Sequence, residues 1–155
     1  MVDQERLFSR SEFGAAVAAI AEEASEALAA ENRGIEAALG EEERSLTEQR
    51  PDLTPEEFRA LADAFDQKVQ TIRAEQDAKT DSIGTRFEGD RRRFFQAIAP
   101  VLAEIMRERQ AAVIIDARTT LLSARGIDIT EIALSRINDA LEANSITATP
   151  FETGD

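Results

Sequence analysis

The stretch Arg50-Pro51-Asp52-Leu53-Thr54-Pro55 decides the fold, because one long helical pattern ends there and another begins. Pro51 ends the first helix, since the residue before a proline is displaced from helical backbone angles. Thr54-Pro55-Glu56-Glu57 then provides a cap threonine, a proline at the first helical position and a glutamate at the third, which together form a capping box. We therefore predict the tip of a helical hairpin at residues 50–55.

Apolar residues on both sides of this tip recur at helical spacing, with Ser9 or Ser11 as a candidate N-cap for the first helix. In an antiparallel hairpin the numbers of contacting residues have a constant sum, and Leu46 with Phe58 and Leu39 with Phe65 both give 104. We interpret the two stripes as the contacting faces of one arm. The alternative is a chance agreement between two amphipathic helices.

The pattern changes after Gln110. The apolar run Ala112–Ile115 and the β-branched and apolar run Thr119–Leu122 predict two short buried strands. Gly126 indicates a turn, and Thr130 is expected to cap a last helix.

These patterns predict a mainly α chain with a small β body (α+β). Residues 11–109 would form a long antiparallel hairpin arm that projects from the body. Residues 1–10 and 110–142 would form the body, with short strands and a C-terminal helix, and residues 143–155 a flexible tail. A body this small buries too little surface to be stable alone, so oligomerisation is expected.

The composition excludes several classes of function. The formal net charge is −13, and residues 1–50 carry 12 acidic against five basic side chains, which disfavours binding to nucleic acids and to anionic membranes. No apolar run approaches the roughly 20 residues of a membrane span. His and Cys are absent, so the commonest transition-metal ligands and nucleophiles are missing.

Three residue clusters are candidate sites. Arg91-Arg92-Arg93 beside Phe94 and Phe95 could bind phosphate, but a solvated helix face is the stronger interpretation. Asp116 is better explained as a turn residue than as a catalytic acid. Glu41-Glu42-Glu43 lacks the spacing of a calcium loop. The sequence therefore predicts no enzyme, with no catalytic, cofactor-binding or metal-binding residue.

Three motifs in order carry a family resemblance: Val2-Asp3-Gln4-Glu5-Arg6-Leu7-Phe8, Val113-Ile114-Ile115-Asp116-Ala117-Arg118, and Gly126-Ile127-Asp128-Ile129-Thr130. With the Ala- and Glu-rich hairpin between the first two, the chain resembles the OmpH/Skp family of periplasmic chaperones from about residue 2 to residue 140. In that family a strand leads into the first helix, a second and third strand follow the hairpin, and a DIT motif begins the final helix.

The resemblance implies a homotrimer that holds unfolded outer-membrane proteins in the periplasm without ATP, without stable membrane insertion and without a cofactor. The residues expected in the shared trimer body are Val113, Ile114, Ile115, Leu121 and Leu122. The residues expected to face the client on the arm are Phe58, Phe65, Ile72, Ile83 and Phe87.

Two features depart from the family. The best-known members have strongly basic arms, whereas this chain is acidic over residues 1–50 and near neutral over residues 51–110. The family's first strand is cut short at Met1 together with the signal peptide, which is expected to have been removed or trimmed. Two other functions fit a charged hairpin: a cytoplasmic coiled-coil scaffold and a prefoldin-like assembly protein. A signal peptide upstream in the reading frame would favour the periplasmic chaperone.

Overall fold

A computed structural model describes residues 1–124 and 126–143 of the chain. The described residues form helices α1 (Gln4–Arg10), α2 (Glu12–Gln49), α3 (Pro55–Glu108) and α4 (Thr130–Glu142), with 3-10 turns at Arg50–Asp52 and Ala117–Thr119. Two compact units are present. The terminal unit comprises Met1–Ala21 and Thr85–Asp155, and the hairpin unit comprises Glu22–Gly84. Of the predicted flexible tail, residues 144–155 lie outside the described residues, and the predicted arm bounds of 11–109 stay a prediction.

α2 ends at Gln49 and α3 begins at Pro55, and the predicted capping box at the start of α3 is confirmed. The Thr54 N–H donates to Glu57 Oε2 at 2.9 Å, and the Glu57 N–H donates back to Thr54 Oγ1 at 3.3 Å. The Thr54 backbone and hydroxyl donors hold the pKa of Glu57 below its usual value. At the N-terminus of α2, Ser11 is the cap, because the Gly14 N–H donates to Ser11 Oγ at 3.0 Å.

Within the hairpin unit, α2 and α3 pair in the antiparallel direction. Lys68 Nζ contacts Glu42 Oε2 at 2.5 Å, and Lys79 Nζ contacts Glu31 Oε1 at 2.5 Å, so the partners on α3 rise in number as those on α2 fall. The numbers of both ion pairs add up to 110, whereas the predicted sum of 104 concerns apolar residues that face each other and stays a prediction. Long ionic side chains reach along the seam, which is the line of contact between α2 and α3. The residue numbers of an ion pair therefore add up to a different value from those of apolar residues that face each other directly.

A cluster of phenylalanines forms the centre of the terminal unit. The Phe94 ring stacks on Phe13 at 5.6 Å and meets the edges of Phe8 and Phe95 at 5.4 Å and 5.2 Å. Aromatic pairs at these distances add about 0.5–1.5 kcal/mol each beyond their burial. The apolar residues buried around this cluster are Val2, Leu7, Val17, Ile98, Val101, Ile105, Ile129, Ala133, Leu134 and Ile137.

Helix α1, which the sequence patterns did not predict, meets α2 in a tight junction. Ser11 Oγ donates to the Phe8 carbonyl at 2.8 Å while it accepts the Gly14 N–H. The same carbonyl lies against Gly14, where a Cβ atom would come within 1.8 Å of the oxygen. The junction therefore requires glycine at this position for its lack of a side chain.

The predicted β body is wrong. The described residues contain no strand, and the one β feature among them is an isolated parallel bridge between Val2 and Asp116. Asp116 directs the chain into a turn, because its Oδ1 accepts the Arg118 N–H at 3.0 Å and its carbonyl accepts the Thr119 hydroxyl at 2.9 Å. Among residues 1–124 and 126–143, Val2 alone pairs with this segment, and a single bridge does not make a sheet.

The last helix is held to the N-terminal residues by polar contacts. The Asp3 N–H donates to Thr130 Oγ1 at 3.0 Å, and Arg10 Nη1 donates to Glu131 Oε1 at 2.7 Å. Thr130 was expected to cap α4, but it is the first helical residue. Asp128 provides the acceptor instead, since its Oδ1 receives the Thr130 N–H at 2.9 Å. The Thr130 hydroxyl and amide hold the pKa of Asp128 below its usual value.

Candidate protein-binding surfaces

An exposed apolar segment follows α3 in the terminal unit. Val113, Ile115, Leu121 and Leu122 are 65%, 52%, 101% and 92% exposed, whereas Ile114 is half-buried against the core. The predicted trimer-body residues are therefore close in the chain, but four of the five lie on the surface. Burying a side chain of this size is worth about 1.5–3 kcal/mol, so the segment leaves a large apolar surface in water.

An apolar cavity of about 410 Å³ lies beside this segment. Val113 and Ile115 line it together with Met106 of α3 and Ile127, which is 45% exposed. Ile127 was not among the predicted body residues. Its position directly after Gly126, in a run that alternates apolar and polar residues, was the signal that could have identified it.

The hairpin unit lacks a buried core. None of residues 22–84, all of which the structure describes, is fully buried, although apolar side chains follow both helices. A pair of helices covers only one side of each stripe, so the side chains between them stay half-exposed. Four predicted client-facing residues, Phe58, Phe65, Ile72 and Ile83, lie half-buried along this seam. The fifth, Phe87, belongs to the terminal unit and packs its ring on Phe8 at 5.6 Å.

A groove of about 300 Å³ opens on this seam. Its apolar lining comes from Ile35 and Leu39 on α2 and from Val69 and Ile72 on α3. Its polar lining residues are Asn32, Glu36, Arg73, Gln76 and Asp77. The groove therefore combines apolar and polar lining residues, a mixture that is common in binding sites.

The tip carries a smaller feature. The Arg50 guanidinium lies over the Phe58 ring, 5.2 Å from its centroid. This cation–π contact joins the end of α2 to the start of α3 and covers one face of the ring.

Two arginines of the run at residues 91–93 form ion pairs within the terminal unit. Arg91 Nη2 donates to Glu5 Oε2 at 3.1 Å, and Arg93 pairs with the buried Asp90. Arg92 is exposed. These pairs disfavour a phosphate site, and the predicted solvated helix face holds for Arg92 alone, since Arg91 and Arg93 are half-buried.

The described residues offer neither a metal site nor a membrane-spanning helix. In residues 1–124 and 126–143, no three or more carboxylates are grouped so that they could hold a metal ion. In the same ranges, no helix is both long and apolar enough to cross a lipid bilayer.

Comparisons with known proteins agree with the hairpin architecture. A solved structure, that of a candidate outer membrane chaperone (OmpH-like) from Caulobacter crescentus CB15, superposes with a TM-score of 0.62. The two sequences are 19% identical, and the match covers 89% of this chain and 82% of the other, so this likeness concerns the fold. No curated protein is significantly similar in sequence. The family model described as Outer membrane protein (OmpH-like) matches residues 1–137, and the chain therefore belongs to the OmpH-like family.

Proposed function

We propose that this protein is an ATP-independent chaperone that holds unfolded outer-membrane proteins in the periplasm. Family membership supports a chaperone role, and the similar Caulobacter protein is described as an outer membrane chaperone candidate. The observation that carries the proposal is the seam of the hairpin unit, where apolar side chains run along both helices without becoming fully buried. Such a seam offers many weak apolar contacts to chains of differing sequence.

An aggregation assay tests the proposal. A urea-unfolded outer-membrane barrel is diluted into buffer without nucleotide, and light scattering is followed with and without the protein. We expect the protein to suppress the scattering. Replacing Phe65 and Ile72 by Ser should weaken the suppression, because it removes apolar surface from the seam. Replacing the exposed Ala60 and Ala74 by Ser should leave it unchanged. Undiminished aggregation at a several-fold excess of protein would refute the proposal.

We further propose that the working form is a homotrimer assembled through the exposed segment that contains Leu121 and Leu122. Their nearly complete exposure supports this assembly. Burying both would contribute roughly 3–6 kcal/mol per protomer, comparable with the lower part of the cost of association.

Light scattering in solution tests the assembly. We expect three times the mass of one chain for the wild type, and a folded monomer when Leu121 and Leu122 are both changed to Asp. Leu61→Asp is the control, because Leu61 is also exposed but lies in the hairpin unit. The control should remain trimeric. A monomeric wild type at micromolar concentration would contradict the proposed trimer.

A further inference from the structure

We propose that the groove of the hairpin unit selects client segments in which Lys or Arg alternates with apolar residues. This inference rests on the proposed chaperone function and names the class of polypeptide that it favours. The groove supplies the apolar contacts, and the charge of the unit around it supplies the preference for cationic segments.

The charge is concentrated in the hairpin unit. Residues 22–84 carry 17 acidic and seven basic side chains, a net charge of −10, whereas the rest of the chain carries 14 acidic and 11 basic, a net charge of −3. A surface with this excess of one sign raises the local concentration of oppositely charged partners and speeds their association.

Contacts inside the unit leave most of this negative charge unneutralised. In residues 22–84, all described, the ion pairs are Arg44 with Glu41, Lys68 with Glu42, and Lys79 with Glu31. These pairs occupy three of the 17 carboxylates and three of the seven cations. The Glu31 pKa is held below its usual value by hydrogen bonds from Lys79 and then Gln76, so this group stays ionised at neutral pH.

The polar margin of the groove is rich in hydrogen-bond acceptors. Glu36 and Asp77 are exposed carboxylates that line it, and Arg73 is the one cation among its lining residues. Gln76 Nε2 donates to Glu31 at 3.1 Å, while Gln76 Oε1 is buried and accepts no hydrogen bond from the described residues. Ammonium and guanidinium groups are pure donors, so they suit this margin, whereas carboxylates would meet charges of their own sign.

Two labelled peptides test the inference. Both are about 30 residues long with identical apolar positions, and the intervening positions are Lys in one and Glu in the other. Anisotropy is measured at about 50 mM and 500 mM NaCl, since surface charge is screened within a few ångströms at high salt. We expect the Lys peptide to bind about tenfold more tightly at low salt and the difference to shrink to about twofold at high salt.

A pair of variants assigns the preference to the groove. Glu36→Gln with Asp77→Asn should reduce the preference about threefold, because each exposed charge contributes a modest amount. Glu88→Gln with Glu142→Gln changes the net charge equally but lies in the terminal unit, and it should leave the preference intact. An equal loss in both pairs would overturn the assignment to the groove.

The remaining outcomes separate the two proposals. Equal binding of both peptides, or tighter binding of the Glu peptide, overturns the charge selection while the barrel-holding assay still supports the chaperone. Binding of neither peptide while the barrel is held also overturns the selection. If the protein binds neither peptide and also does not hold the barrel, the proposed function itself is overturned.

Discussion

Replacing Gly14 by Ala is the sharpest test of the α1–α2 junction. The new Cβ would lie 1.8 Å from the Phe8 carbonyl oxygen and 2.7 Å from its carbon, both of them backbone atoms. A flexible side chain could move aside at small cost, but this carbonyl can move only if α1 moves. The movement would also disturb the hydrogen bond from Ser11 Oγ to the same oxygen.

The expected loss of stability follows from two costs and one gain. Overpacking in a well-packed region costs about 1–3 kcal/mol, and displacing α1 adds partial exposure of Phe8, whose full burial is worth about 1.5–3 kcal/mol. Alanine regains about 1 kcal/mol over glycine inside a helix. We therefore expect the free energy of unfolding to fall by about 2–4 kcal/mol, which lowers Tm by roughly 5–15 °C in a chain of this size.

Thermal unfolding followed by circular dichroism measures the effect, with all samples at one protein concentration because oligomers gain stability with concentration. Gly34→Ala is the matched control, since Gly34 is exposed in α2 and a Cβ there would have no atom within 4 Å. It should raise stability by about 1 kcal/mol. If Gly14→Ala stabilised the protein as much as Gly34→Ala, the close approach of the Phe8 carbonyl would be refuted.

Three further changes probe other parts of the fold. Phe94→Ala should lower the free energy of unfolding by about 3–5 kcal/mol in urea titrations, because it empties the centre of the aromatic cluster, and a loss below about 1 kcal/mol would contradict that packing. Thr54→Ala should cost about 1 kcal/mol by removing the cap of α3, whereas Thr80→Ala, in an exposed helix interior, should not destabilise. Glu31, Glu57 and Glu108 all have pKa values below the usual 4.5, so the stability they contribute is present above pH 4.5 and is lost as pH falls through the folded pKa values. Acid titrations of Tm should show this loss, and a Tm that rose on acidification across that range would contradict it.

The two long helices were predictable because their sequence signals are local. A proline and a capping box define the tip, and the contacts that decide them span three residues. The direction of pairing also followed from the order of the apolar residues. The pairing sum of 104 for facing apolar residues stays a prediction, since the contacts that fix the direction are ion pairs such as Lys79 with Glu31.

Helix α1 was not predicted because its stability depends on distant residues. It has only seven residues, too few to be stable alone in water. Phe8 anchors it in the core of α2 and α3, and Arg10 pairs with Glu131 of α4. Such contacts leave no periodic pattern in a short stretch. Gly14 is the clearest indication of the junction in the sequence. A glycine destabilises the first turn of an alanine-rich helix, so its presence there indicates a close packing contact.

The segment around Leu121 shows why the β body was predicted and why one chain does not form it. Apolar and β-branched runs predict that side chains become buried, but they do not identify the atoms that bury them. In this chain Val2 offers one bridge to Asp116, and Leu121 and Leu122 remain in water. The hairpin seam also leaves apolar side chains partly in water, but to a smaller extent. Its half-buried side chains suit the proposed contacts that form and break with changing clients, whereas two almost fully exposed leucines suit a permanent neighbour. This difference in exposure is the physical reason why the proposed client holding is assigned to the hairpin unit and the proposed assembly to the terminal unit.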